Sequence, residues 1–131
     1  MKSDGWWVST HGYYLALDST WERTVSEHKS YLSGVDKLVR KHIRKDCEIL
    51  DIGAGNGLRA MNLASGLAKR LTLVEPSLTI HPAVSSRREI EVVSSSFEGF
   101  DAGVSKSYDL VLMLWNVLGH CYDVDAVLRK A

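Results

Sequence analysis

Cysteine occurs only twice in the 131 residues, as Cys47 and Cys121, which lie far apart and match no metal-ligand spacing, so no metal site is expected. Both read as buried reduced thiols, because an unpaired cysteine usually behaves as a small hydrophobe. Net charge is missing as well. Sixteen Lys and Arg cancel sixteen Asp and Glu, so no global field draws the chain toward nucleic acid, an anionic membrane or an acidic substrate. No run approaches the roughly 20 apolar residues that span a bilayer, and the opening "MKSDGWWVSTHGYY" has no apolar stretch long enough for a signal peptide. Cytoplasm is the expected compartment. Repeats and low-complexity segments are absent too. What is present is ordinary: 45% hydrophobic and 24% charged residues in a length that suits one core rather than two.

Along the chain the hydrophobic period changes near residue 46. Before it, Asp18 or Ser19 can cap a helix with Trp21, Val25, His28 and Leu32 on one stripe. Gly34 is expected to interrupt this helix, and Val35, Leu38, Val39 and Ile43 resume the pattern, with Lys41, Arg44 and Lys45 suiting the negative end of the helix dipole. After it come short β-type runs separated by helical patterns. "EILDI" (48–52) is the first strand, followed by a helical stripe of Leu58, Met61, Ser65 and Ala68. "LTLVEP" (71–76) is a second strand that Pro76 stops, because proline cannot donate to a ladder. A loop or short helix containing Pro82 leads to a third strand at Ile90–Val93. The nearly all-apolar "YDLVLMLW" (108–115) suits a fourth, covered on both faces, and Asp123 to Lys130 reads as helix. Strands alternating with helices predict an α/β fold: a mainly parallel sheet with right-handed crossovers.

The most informative stretch is "EILDIGAGNGLRA" (48–60). Gly53, Gly55 and Gly57 sit on alternate positions between the first strand and the first helix of the sheet. Glycine there permits positive φ and lets a ligand approach bare backbone. In open parallel sheets, ligands bind at the carboxyl ends of the strands, where the next helix also presents unpaired N–H groups. A phosphate-cradling P-loop requires GxxxxGK[ST], and no such lysine follows. A dinucleotide turn reads GxGxxG, and Leu58 stands where its third glycine belongs, which weakens an NAD-type reading. The same turn with no ligand at all is the bland alternative, as are Asp51 merely bracing the glycines and Glu75 as a solvated strand-end acid.

The spacing Asp51-x-Gly53-x-Gly55-x-Gly57 resembles motif I of the class I S-adenosylmethionine-dependent methyltransferases. Further residues carry the likeness in order: Glu75 at the end of the second strand, "VVSSSFEGF" after the third, and "YDLVLMLWNVLGH" in the place of motif IV. The resemblance covers roughly residues 48–120. It implies a Rossmann-like, doubly wound sheet of about four strands in the order 3-2-1-4, with residues 1–45 as an N-terminal helical cap and 46–131 as the cofactor-binding core. It further implies S-adenosylmethionine as cofactor and S-adenosylhomocysteine as product. Asp51, Gly53, Ala54, Gly55 and Gly57 would form the turn at the cofactor. Glu75, followed by Pro76, would accept both ribose hydroxyls. Ser96 and Phe97 fall where the family places an acid for the adenine amino group and a backbone N–H for the ring, and serine is a departure there. Trp115 and Asn116 would flank the methyl group.

The family implies methyl transfer to a small-molecule N or O acceptor. The [DN]PP[YFW] motif of amide and nucleobase methylating members is absent after the fourth strand, where "WNVLGH" stands. Methyl transfer from a sulfonium needs alignment more than a base. If a proton acceptor is used, His120, just past the fourth strand, is favoured over His11, His28, Tyr13 and Tyr14. Trp6, Trp7, Tyr13, Tyr14 and Trp21 resemble a closing cap, though aromatic side chains also simply pack. The family's sheet usually has seven strands, so the fourth would be an exposed apolar edge: either a second chain covers it, as in a homodimer, or the chain is a fragment of a longer enzyme. A cofactor-binding or structural module without catalysis is the second reading.

Overall fold

The computed structural model describes residues 23, 25–76, 80–101, 103, 106–114 and 123–131. Its elements run α1 (Lys29–Arg40), β1 (Glu48–Ile52), α2 (Leu58–Ala64), β2 (Arg70–Val74), α3 (Pro82–Ser85), β3 (Ile90–Val93), β4 (Leu110–Leu112) and α4 (Val124–Lys130). The four strands form one sheet in the order β3-β2-β1-β4, with all three pairings parallel, as expected. In register, Ile49, Leu50 and Asp51 lie opposite Leu71, Thr72 and Leu73.

The central strands β1 and β2 bury almost every residue because both faces of the sheet are covered. On one face Ile49, Leu71, Leu73 and Leu112 pack with Ala60 and Leu63 of α2, and with Val39 and Ile43 from and just beyond α1. On the other, Leu50, Ile52 and Val74 meet Phe97, Phe100 and Val127, the last from α4. This is the double winding that the alternating pattern requires. Burying each such aliphatic side chain contributes roughly 1.5–3 kcal/mol.

Several expectations are corrected. Gly34 does not interrupt the first helix: α1 runs through it, because a lone glycine costs only about 1 kcal/mol and α1 is held by Leu32 and Val39 in the core. Leu38 is exposed, and Ile43 is buried from the turn beyond the helix. Val25 and His28 are exposed too, so among the described residues of the upstream stripe only Leu32 reaches the core. The helix after β1 ends at Ala64, short of Ser65 and Ala68: Gly66 takes φ 74°, and Leu67 and Ala68 N–H both close on the Ala64 carbonyl. The segment with Pro82 is the short helix α3, whose N-cap His81 accepts the Ala83 N–H on Nδ1 at 3.1 Å. β4 is three residues long, and Asp123 caps α4 by accepting the Ala126 N–H at 2.9 Å. Trp21, Trp6, Trp7, Tyr13, Tyr14, His11 and Cys121 lie outside the described residues. No helix among the described residues is long and apolar enough to cross a membrane.

Candidate binding site at the tip of the first strand

Where β1 ends, the chain turns through residues 53–57 into α2, and all three glycines take positive φ: 71° at Gly53, 60° at Gly55 and 79° at Gly57. A side chain at any of them would be strained. Gly57 and Gly55 serve different ends. A Cβ on Gly57 would stand 2.8 Å from Leu73 Cδ1 and 3.0 Å from Val84 Cγ1, so this glycine lets the turn sit against β2 and α3. Among the described residues a Cβ on Gly55 would meet nothing within 4 Å, so they leave open space over that backbone.

The turn is fastened mainly from the second strand. Gly53 N–H donates to the Val74 carbonyl at 2.8 Å, and Gly55 N–H donates to Glu75 Oε2 at 2.7 Å. Asn56 closes it from within, its Oδ1 accepting Leu58 N–H at 3.0 Å and its carbonyl accepting His81 N–H at 2.9 Å. The glycine brace is therefore Glu75, not Asp51. Glu75 is also no solvated strand-end acid, being only 8% exposed. Pro76, half-buried, follows it and ends the run.

Asp51 and Glu75 stand on the same face of the sheet, since Asp51 is registered with Leu73 and Glu75 lies two residues beyond. Asp51 is 5% exposed, and burial pushes its carboxyl up from the ordinary 3.8 to about 7; Arg59 pulls it down and Glu75 pushes it further up. Arg59, in the first turn of α2, reaches α1, where its Nε donates to Asp36 Oδ1 at 2.8 Å. Its Nη2 stands 2.8 Å from the same oxygen but has no aligned acceptor, although it is buried. This charge chain from α1 toward Asp51 carries no local sequence signal, because Asp36 and Arg59 are 23 residues apart and belong to different elements.

The turn after β3 borders the same end of the sheet, tied by Glu75 N–H donating to the Val93 carbonyl at 3.1 Å. Ser96 Oγ accepts the Gly99 N–H at 3.1 Å and so caps the 97–99 turn. The Phe97 ring is buried on the α4 side, stacked on Phe100 with centroids 6.0 Å apart. The structure thus gathers Asp51, Gly53, Ala54, Gly55, Gly57, Glu75 and Pro76 at two adjoining strand tips, with Ser96 and Phe97 on the next. Trp115, Asn116 and His120 lie outside the described residues. Among the described residues no group of three or more His, Cys, Asp or Glu could hold a metal ion.

No protein-family model matches the sequence, and no curated protein sequence does. Solved structures do match in shape. The DhpI–SAH complex superposes with a TM-score of 0.67 at 24% identity, over 86% of this chain and 54% of that one. The plantazolicin methyltransferase BpumL, in complex with SAH, gives a TM-score of 0.67 at 18% identity, over 88% and 46%. The [4+2]-cyclase SpnF gives 0.61 at 17%, over 73% and 38%. The chain therefore spans about half the length of the structures it matches. Glycine turn, strand order and these superpositions together establish the architecture: the chain carries the Rossmann-like fold of the class I S-adenosylmethionine-dependent methyltransferases.

Proposed function

We propose that the chain binds S-adenosylmethionine at the glycine turn and forms the cofactor-binding part of a methyltransferase acting on a small-molecule N or O acceptor. One observation carries this reading: Gly55 leaves open space over backbone that is itself pinned by the buried Glu75 carboxylate. Open space alone marks no site, since Gly66 has it too at a plain helix end; what sets Gly55 apart is the buried carboxylate that holds its N–H. The donor set also fits the cofactor. Glu75 would take the ribose while holding Gly55, so sugar and turn are placed by one acid. Ser96 and the Phe97 N–H would face the base, and Asp51 would set the charge beneath the turn.

Bound there, S-adenosylmethionine supplies an activated methyl group, which leaves alignment and exclusion of water as the protein's tasks. Residues 1–45 would act as the closing cap, Trp115 and Asn116 as the methyl-side wall, and His120 as the proton acceptor. A second strand partner would cover the outer edge of β4, in a homodimer or from another chain. The likeness to SpnF, described as a cyclase, and the half-length match favour one alternative, a cofactor-binding module that transfers no methyl group.

Titration calorimetry with S-adenosylmethionine, S-adenosylhomocysteine and NAD tests the proposal. The first two should bind and NAD should not; NAD binding alone would overturn it. Glu75→Ala should weaken S-adenosylhomocysteine by roughly 10- to 150-fold, the usual cost of removing a charged acceptor. Methyl release over a panel of small amines and alcohols separates enzyme from module.

A further inference from the structure

Lys130, in the last turn of α4, lies 33 residues from the turn that follows β3, yet its ammonium donates to the Phe97 carbonyl at 2.9 Å and to the Glu98 carbonyl at 3.3 Å. The same nitrogen lies 5.1 Å from the Phe97 ring centroid and 6.0 Å from that of Phe100. Both distances are in the cation–π range. Among the described residues the turn it grips also carries local bonds, including Gly99 N–H to Ser96 Oγ, Phe100 N–H to the Phe97 carbonyl at 3.2 Å and Ser95 Oγ to the Ser96 carbonyl at 2.8 Å. α4 is anchored in turn by Val127, which is 1% exposed.

We propose that Lys130 is a positioning residue for the purine end of the crevice, fixing the turn after β3 so that the Phe97 N–H and the Ser96 hydroxyl hold one orientation toward the base. This rests on the cofactor reading above. Among the described residues nothing accepts the Phe97 N–H, and in this proposal a ligand takes that donor. The Phe97 carbonyl and N–H flank a single Cα. Holding the carbonyl with a charged donor and the ring in the core fixes the dihedrals on both sides of that atom, and hence the direction of the N–H. With serine where an acid could grip the exocyclic amino group, base selection falls more heavily on that one donor. A rigid turn then matters more than it would beside a carboxylate.

The test compares wild type, Lys130→Met and Lys130→Arg by calorimetry with S-adenosylhomocysteine and its hypoxanthine counterpart, S-inosylhomocysteine. Wild type should prefer the adenine form. Lys130→Met should lose on the order of tenfold in affinity for it, the scale of a coupling through one intervening element, and the preference between the two bases should shrink. Lys130→Arg should retain both. Without ligand, amide exchange at Gly99 and Phe100 should quicken in Lys130→Met. An unchanged base preference in a Lys130→Met protein that still binds would overturn the proposal and leave Lys130 as a staple for α4. Unchanged amide exchange would show that no clamp exists. Failure of wild type to bind either nucleoside would overturn the cofactor reading itself, and this inference with it, whatever the exchange rates show.

Discussion

The buried acid Asp51 holds a proton more tightly in the folded chain than in the unfolded one, because desolvation penalises its anion and Glu75 adds a like charge on the same face. Its contribution to stability is therefore fully present below the ordinary value of 3.8 and is lost as pH rises through about 7. The cost above that window is on the order of 4 kcal/mol for a rise from 3.8 to about 7. Asp51→Asn removes the ionisable group, so the stability difference between variant and wild type should be small at about pH 4 and should favour the variant by about pH 8, read from urea midpoints. A difference that stays constant across that range would mean Asp51 is solvated or fully neutralised by Arg59. Thr72 offers a simpler case. It is 0% exposed and among the described residues its hydroxyl has no partner, so Thr72→Val exchanges an orphaned polar group for an apolar one of the same shape and should raise stability by roughly 1–3 kcal/mol. A loss of stability would reveal a buried water satisfying that hydroxyl.

Glycine acts differently in each element, and substitutions can read the difference. Gly34 lies within α1, and a Cβ there meets nothing within 4 Å, so Gly34→Ala should raise stability by roughly 0.5–1 kcal/mol. Gly57→Ala should lower it by roughly 1–3 kcal/mol through overpacking against Leu73 and Val84, before strain at φ 79° is added. Gly55→Ala carries the strain of φ 60° without the clash, so its loss of ligand affinity should exceed its loss of stability. If thermal midpoints ranked Gly55→Ala below Gly57→Ala, the division of labour between the two glycines would be wrong. The same elements show what sequence reveals. Ile90–Val93 was legible because apolar runs must be buried, whereas the strand order was legible only through the family resemblance that the glycine turn carries. Asp51 and Glu75 were legible through the family motif that their spacing resembles, since nothing local in the sequence shows that Glu75 reaches Gly55. The end of α2 was not, since Ser65 and Ala68 keep the helical spacing while Gly66 ends the helix through its positive φ. The Arg59–Asp36 pair and the Lys130 grip on Phe97 were invisible too, because both join elements far apart in sequence.

At the scale of the molecule the two sheet edges are unlike. β3 carries the charged Glu91, paired with Lys106 Nζ at 3.0 Å, and begins beside the Arg87–Glu89 pair, both of which oppose docking of another strand. β4 presents Leu110, Val111 and Leu112 with no charge among them, and among the described residues no strand pairs with its outer side. An apolar strand with unpaired N–H and C=O groups is a template for pairing. If copies of the chain associate, side-chain polarity therefore favours β4 over β3 as the contact. Light scattering over a concentration series should show mass rising with concentration, and amide exchange at Leu110–Leu112 should slow in step while β3 stays unchanged. A protein monomeric at every concentration, with β4 amides no slower at the highest than at the lowest, would refute edge pairing between copies. Slowing at β3 instead would place the contact on the charged edge and overturn the argument from side-chain polarity.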